Sequence, residues 1–202
     1  MKNIIIIGAG GHAKSCCDVI ELEKKYKIYG FISNEINKKK TFNNYSILGK
    51  DSDLARIRKK CDNAFVAIGH VKDNKLRKKI FKKLKLLKYN TPKIISPLSY
   101  VSKKSKVLSG TIVMHGAIVN AGSIIEKNCI INTRSLIEHD CTVRESCHIS
   151  TGAIINGNNY IGANTFLGSS SVIKQGLKIG NSCFVNANHF VKKNLQAKTK
   201  IL

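Results

Sequence analysis

The chain has 202 residues and a formal net charge of +23, set by 35 Lys and Arg against 12 Asp and Glu, with aromatic residues at only 6%. So strong a positive charge invites a nucleic-acid reading. However, the lysines are spread over the whole length with few aromatics among them, so no base-stacking groove is evident; phosphate-rich small ligands are the milder partners for such a field. The seven cysteines are odd in number, with no Cys-x-x-Cys and no His/Cys metal spacing, so no disulfide framework and no metal are expected. No apolar run is long enough for a signal peptide or a membrane span, and the expected location is a reducing cytoplasm.

In chain order, Ile4-Ile5-Ile6-Ile7 is a continuous apolar run that predicts a buried parallel strand. Gly8-Ala9-Gly10-Gly11-His12-Ala13 then opens a helix through about Glu23. Gly8, Gly10 and Gly11 form a Gly-x-Gly-x-x-Ala turn that can cradle phosphates at a helix N-terminus. A second strand is predicted from Ile28 to Ile32 and a third from Ala64 to Ile68, ending at Gly69-His70. Ser33-Asn34-Glu35 follow the second strand, with no clear ribose-binding acid at the expected spot, and the segment supplies too few strands for a full dinucleotide domain. Asp73 to Lys88 predicts an amphipathic helix, with Leu76, Ile80, Leu84 and Leu87 on one face and Lys and Arg over the rest. Thr91-Pro92 marks the join, dividing the chain into an α/β unit over 1–91 and a second unit over 92–202.

From Lys93 to Asn194 the second unit divides into seventeen consecutive hexads, and the third residue of each is Ile, Leu or Val, from Ile95 and Val101 to Val185 and Val191. A period of six fits short parallel strands separated by tight turns, each pointing one aliphatic residue inward. Three hexads make one triangular coil of about eighteen residues. The fold class is therefore mainly β: a C-terminal parallel β-helix behind a small Rossmann-like α/β domain.

Residues before the inward positions face outward, and those eighteen apart share a column. Lys106, Ile124, Thr142, Tyr160 and Lys178 form a mixed column. Ile112, Ile130, His148, Phe166 and Phe184 form an apolar one, as do Ile118, Leu136, Ile154, Val172 and Phe190. Two apolar stripes need cover, and the expected cover is a homotrimer in which each subunit offers one face to each neighbour. The alternative is an N-terminal unit folded back over one face.

The chemical constellation is Glu138-His139-Asp140 at a turn, with His148 nine residues later. An imidazole titrates near neutrality, and a carboxylate on one ring nitrogen orients it so that the other can act as a general base. His148, alone on an apolar column, fits a structural role as well as a functional one. One coil from His139 stand Ala121 and Gly157, both small; they leave room beside the ring, and the Gly157 N–H can serve an oxyanion.

Hexads carrying Asn132-Thr133, Ile137-Glu138-His139-Asp140 and Cys147-His148-Ile149-Ser150, behind Ile-Ile-Gly-Ala-Gly-Gly-His-Ala, resemble the NeuD/PglD group of sugar acetyltransferases. The resemblance implies a left-handed β-helix, with acetyl-CoA lying between adjacent β-helices of a homotrimer. It implies that His139 is the catalytic base and Asp140 its orienting partner, with Glu138 and Asn132 supporting the site. It also implies that His148, Gly157 and the column carrying Phe166 serve acetyl-CoA. The N-terminal unit then binds a nucleotide-linked amino sugar through Gly8, Gly10, Gly11, His12, Ser33, Asn34 and Gly69. Relatives often carry an Asp-Asp pair where Ser33-Asn34 stand here, and glycines where Asn186-Ala187-Asn188 stand; a Gly-x-Pro-Ala-Lys-like tail, common in relatives, is not found by Leu202. The expected activity is acetyl-CoA-dependent N-acetylation of a nucleotide-linked deoxyamino sugar in surface glycan synthesis. The alternatives are O-acetylation of a sialic-acid-type sugar and a non-catalytic trimeric scaffold.

Overall fold

The structure, a computed structural model, describes residues 1–34, 40–71 and 73–202; Glu35, named above in the segment after the second strand, lies outside them. The chain divides into two compact units, Met1–His70 with Asn74–Ile94, and Val71–Asp73 with Ile95–Leu202.

The first unit is built on a five-stranded sheet. Its elements are β1 (Lys2–Ile7), α1 (Gly11–Glu23), β2 (Tyr26–Ile32), β3 (Thr41–Phe42), β4 (Tyr45–Gly49), a 3-10 turn (Asp51–Asp53), α2 (Leu54–Ile57), β5 (Ala64–Val66) and α3 (Lys75–Leu86). The strand order is β3-β4-β2-β1-β5. All pairings are parallel except the antiparallel β3–β4 hairpin. Ile4 to Ile7 are buried because a central parallel strand is covered on both faces. The α1 helix turns Ala13, Cys16, Cys17 and Ile20 inward at helical spacing and ends at Lys24 in the left-handed conformation.

Three features of this unit depart from the sequence reading. The sheet gains β3 and β4, joined through Asn43 and Asn44, both at positive φ; paired left-handed residues are what a tight hairpin turn needs, and asparagine tolerates them. The third strand stops at Val66 instead of reaching Ile68. In α3 the buried residues are Arg77, Ile80, Phe81 and Leu84, whereas Leu76, expected in the core, is 53% exposed.

The second unit is the left-handed parallel β-helix. Two-residue strands recur every six residues from Ile94–Ile95 to Phe190–Val191, and Lys200–Ile201 adds one more; they form sheets of seven, six and five strands. The inward Ile, Leu and Val residues from Val107 to Val191 make one continuous buried core with Cys129, Cys141, Cys147 and Cys183. Every turn from Gly110 to Asn188 holds one residue at positive φ, at six-residue spacing, and Asn, Asp, Ser or Gly fills nearly all of these places. The repeat shortens in the last coil, where Leu195 bridges Ile179 and Ile201 pairs with Val185, each sixteen residues apart instead of eighteen.

The two apolar columns do not share one environment. Ile112, Ile130, His148 and Phe166 are already buried in the single chain, so the column expected to be open is closed over most of its length. In the other, Ile118 and Phe190 are exposed and Leu136, Ile154 and Val172 half-buried.

Candidate active site

In the first unit a cleft of about 390 Å³ opens at the C-terminal ends of β1 and β2, lined by Ile7–His12, Ile32–Asn34, Asp51, Ala67–Gly69 and Leu76. It gathers all seven residues that sequence reasoning gave to the nucleotide-linked sugar: Gly8, Gly10, Gly11, His12, Ser33, Asn34 and Gly69. Gly8 is fixed by the chain itself, since its φ is +106° and an added Cβ would stand 2.8 Å from Ile68 Cγ1. Gly10 and Gly11 differ, because a Cβ on either would meet nothing within 4 Å. Their bareness leaves open the approach to the N-terminus of α1, which no side chain caps and which carries partial positive charge. Gly69 lies against His12, whose Nε2 is 3.4 Å from Cys16 Sγ. Burial pushes the Cys16 thiol up to about 12 against the opposing pull of the Arg77 charge, so it stays protonated.

Two residues beside this cleft were missed. Arg77 is buried and donates from Nη1 to the carbonyls of Val66 (2.6 Å) and Ile68 (3.0 Å), pinning the strand end that forms one wall. A long cationic helix hides such a residue among its solvated neighbours. Asp51 arrives from the 3-10 turn, and its carboxylate accepts from Asn34 Nδ2 at 2.8 Å.

In the second unit, the turn after the strand Leu136–Ile137 presents His139 and Asp140. Asp140 occupies the positive-φ place of its turn, and its Oδ2 is 2.9 Å from His139 Nδ1. Both side chains are more than half exposed. The pair is seated between two glycines: an added Cβ on Gly157, one coil later, would stand 2.6 Å from His139 Nε2, and one on Gly122, one coil earlier, would collide with Asp140 Oδ1. Column arithmetic found Gly157; the same arithmetic applied to Asp140 finds Gly122. His139 Nε2 makes no hydrogen bond to any described residue. Glu138 Oε2 accepts from Asn120 Nδ2 at 2.9 Å, which holds its carboxylate along the column.

The remaining expected residues form a second group. Asn132 Nδ2 lies 3.1 Å from His148 Nε2, while Asn132 Oδ1 accepts from the Thr133 amide at 2.8 Å. The His148 ring packs edge-on against Phe166 at 5.2 Å, and Phe166 stacks on Phe184 at 5.1 Å. Asn132 is thus tied to His148, and no described bond joins it to His139.

Comparison with known proteins adds the following. Residues 3–84 match the family model described as the PglD N-terminal domain, and residues 159–193 match the hexapeptide repeat of succinyl-transferase. A search of curated protein sequences returned no match. Among solved structures, PerB from Caulobacter crescentus in complex with CoA and GDP-perosamine is similar, at 27% identity over 99% of this chain and 93% of that one, with a TM-score of 0.92. The acetyltransferase domain of PglB from Neisseria gonorrhoeae in complex with acetyl coenzyme A is similar at 25% identity over 98% and 95%, with a TM-score of 0.90. WeeI from Acinetobacter baumannii, at 22% identity over 100% and 97% and a TM-score of 0.86, shares the fold. The chain thus carries a match to the PglD N-terminal domain in its first unit and to the hexapeptide repeat in its second, and it is similar to sugar acetyltransferases of the NeuD/PglD type.

Proposed function

We propose that the chain transfers the acetyl group of acetyl-CoA to the amino group of a nucleotide-linked deoxyamino sugar, for surface glycan synthesis. The carrying observation is the seated pair: His139 has one ring nitrogen on a carboxylate, the other without a described partner, and a glycine under the ring. PerB and PglB, similar over nearly the whole chain, were crystallised with CoA and GDP-perosamine and with acetyl coenzyme A, which favours a thioester donor and an amino-sugar acceptor.

The chemistry follows from these groups. A neutral amine attacks the thioester carbonyl, forming the C–N bond, and His139 Nε2 takes the proton that the nitrogen must lose. Asp140 holds the ring through Nδ1, which orients Nε2 toward the incoming amine. Charge on the carbonyl oxygen is met by the Gly157 amide, which donates to no described residue. Collapse breaks the C–S bond, and the proton passes from His139 to the departing thiolate. His148 and Phe166, with Asn132 behind the imidazole, form a wall for the acetyl-CoA end of the site. Glu138 keeps the turn in register. The bare Gly10-Gly11 approach at the N-terminus of α1 receives the diphosphate, and the lysine-rich surface attracts both polyanionic substrates. The open column of Ile118, Leu136, Ile154, Val172 and Phe190 is the face through which subunits form a trimer.

The test is a panel of nucleotide-linked amino sugars incubated with acetyl-CoA, following thiol release and product mass. Acetylation of one acceptor giving a base-stable product supports an amide. A base-labile product would redirect the reading to O-acetylation, and no transfer to any acceptor would leave a binding or scaffold protein.

A further inference from the structure

The cleft at the ends of β1 and β2 contains a carboxylate that the local sequence does not supply. In doubly wound sheets an acid near the end of the second strand accepts hydrogen bonds from the ribose hydroxyls of a bound nucleotide. Here Ser33 and Asn34 stand at that place. Asn34 holds a residue from elsewhere through both ends of its amide: its Nδ2 donates to Asp51 Oδ2 at 2.8 Å, and its Oδ1 accepts from the Asp51 amide at 3.0 Å. Lys83 Nζ adds a third restraint by donating to the Asp51 carbonyl at 2.6 Å. Asp51 is therefore clamped at its amide, its carbonyl and one carboxylate oxygen. Its other oxygen, Oδ1, accepts from no described residue, and Asp51 and Asn34 both line the cleft.

We infer that Asp51 is the residue that recognises the ribose diol of the nucleotide-linked substrate, and that Asn34 is a positioning residue which carries this carboxylate to the end of β2. The inference rests on the nucleotide reading of the cleft and adds a specificity to it. Asn34 has one N–H and one lone pair committed to Asp51 and offers a ligand only a neutral amide, whereas a clamped carboxylate with an available oxygen is a preorganised, charged acceptor for hydroxyl donors. Charge-assisted hydrogen bonds are the strong ones, so loss of the hydroxyl partner leaves a measurable deficit.

The experiment is calorimetric titration of the full-length protein with UDP, GDP and their 2′-deoxy counterparts, for wild type, Asp51→Asn and Asn34→Ala, with thermal melting as a check on folding. The expected result is that a ribonucleotide binds about tenfold or more tightly than its deoxy form. Asp51→Asn should erase that preference by weakening the ribonucleotide alone. Asn34→Ala should reduce it in the same direction, since it frees the carboxylate without removing it, and it decides the matter if Asp51→Asn proves unstable. Equal binding of ribo and deoxy forms by wild type, or equal weakening of both by Asp51→Asn, would overturn the assignment while leaving the nucleotide reading intact. Binding of no nucleotide would overturn the nucleotide reading, and the inference with it.

Discussion

Gly157→Ala tests the seating of His139 without touching the imidazole. The added methyl carbon would stand 2.6 Å from Nε2 and 2.7 Å from Cε1, whereas comfortable contact begins near roughly 3.5 Å, so the ring must retreat by about 1 Å. Gly157 has no φ in the left-handed region, so alanine is conformationally acceptable and the coil has no backbone reason to unfold. The ring's way out is rotation about its own side-chain bonds, which strains the 2.9 Å contact between Nδ1 and Asp140. A misplacement of about 1 Å costs on the order of a hundredfold in rate, or about 2.7 kcal/mol of transition-state stabilisation. The assay is thiol release under saturating substrates, with kcat and both KM values, alongside thermal melting. The expected outcome is a kcat lower by about a hundredfold, with melting temperature and acetyl-CoA KM little changed. Combined with His139→Ala, the variant should add no further loss, because both changes act through one group. A kcat within a few-fold of wild type would refute the seating.

Three further outcomes are expected. Gly10→Val fills the open approach to α1 and should raise the sugar-nucleotide KM while sparing that of acetyl-CoA; micromolar NAD binding without sugar-nucleotide binding would contradict this. Ile154→Glu, in the half-buried column, should dissociate the proposed trimer, because a charge desolvated at an interface costs several kcal/mol, and wild type sedimenting as a monomer at micromolar concentration would overturn the assembly. Phe166→Glu is a poorer probe, since Phe166 is buried against His148 and Phe184. The Lys50 amide, and then Arg56, hold the Asp53 carboxyl below the ordinary aspartate range. A depressed carboxyl contributes stability that is present above its unfolded value and lost as pH falls through its folded one. Asp53→Asn should therefore flatten the acid limb of the stability profile, and an unchanged limb would contradict the assignment.

The β-helix was legible because each hexad repeats one local rule, so seventeen weak signals agree. The departure at Leu195 escaped because two missing residues look like the end of the repeat instead of a shortened coil. Around the proposed catalytic turn, column arithmetic pointed from His139 to Gly157, and the same step of eighteen, not taken in the sequence reading, connects Asp140 to Gly122 and Glu138 to Asn120. The first unit yielded less, because its site is assembled from segments with no fixed spacing. Asp51 meets Asn34 at a sequence separation of seventeen, and no periodicity announces that meeting. Arg77 was hidden by composition, since one buried arginine among exposed lysines looks solvated until its two carbonyl partners are placed. The Asn43-Asn44 turn was a signal available in the sequence and passed over.

The central claim is that His139 is the base for acetyl transfer. It is tested most directly by kcat and kcat/KM for wild type and His139→Ala across pH 6 to 9, with acetyl-CoA and the acceptor found by the nucleotide-sugar panel. The variant should lose on the order of a hundred- to ten-thousand-fold in kcat, and with it the acid-side limb of the pH profile, while acetyl-CoA KM stays near wild type. A variant that kept near-wild-type kcat and the same acid limb would show that the proton goes elsewhere, and His148 would be the next group to test.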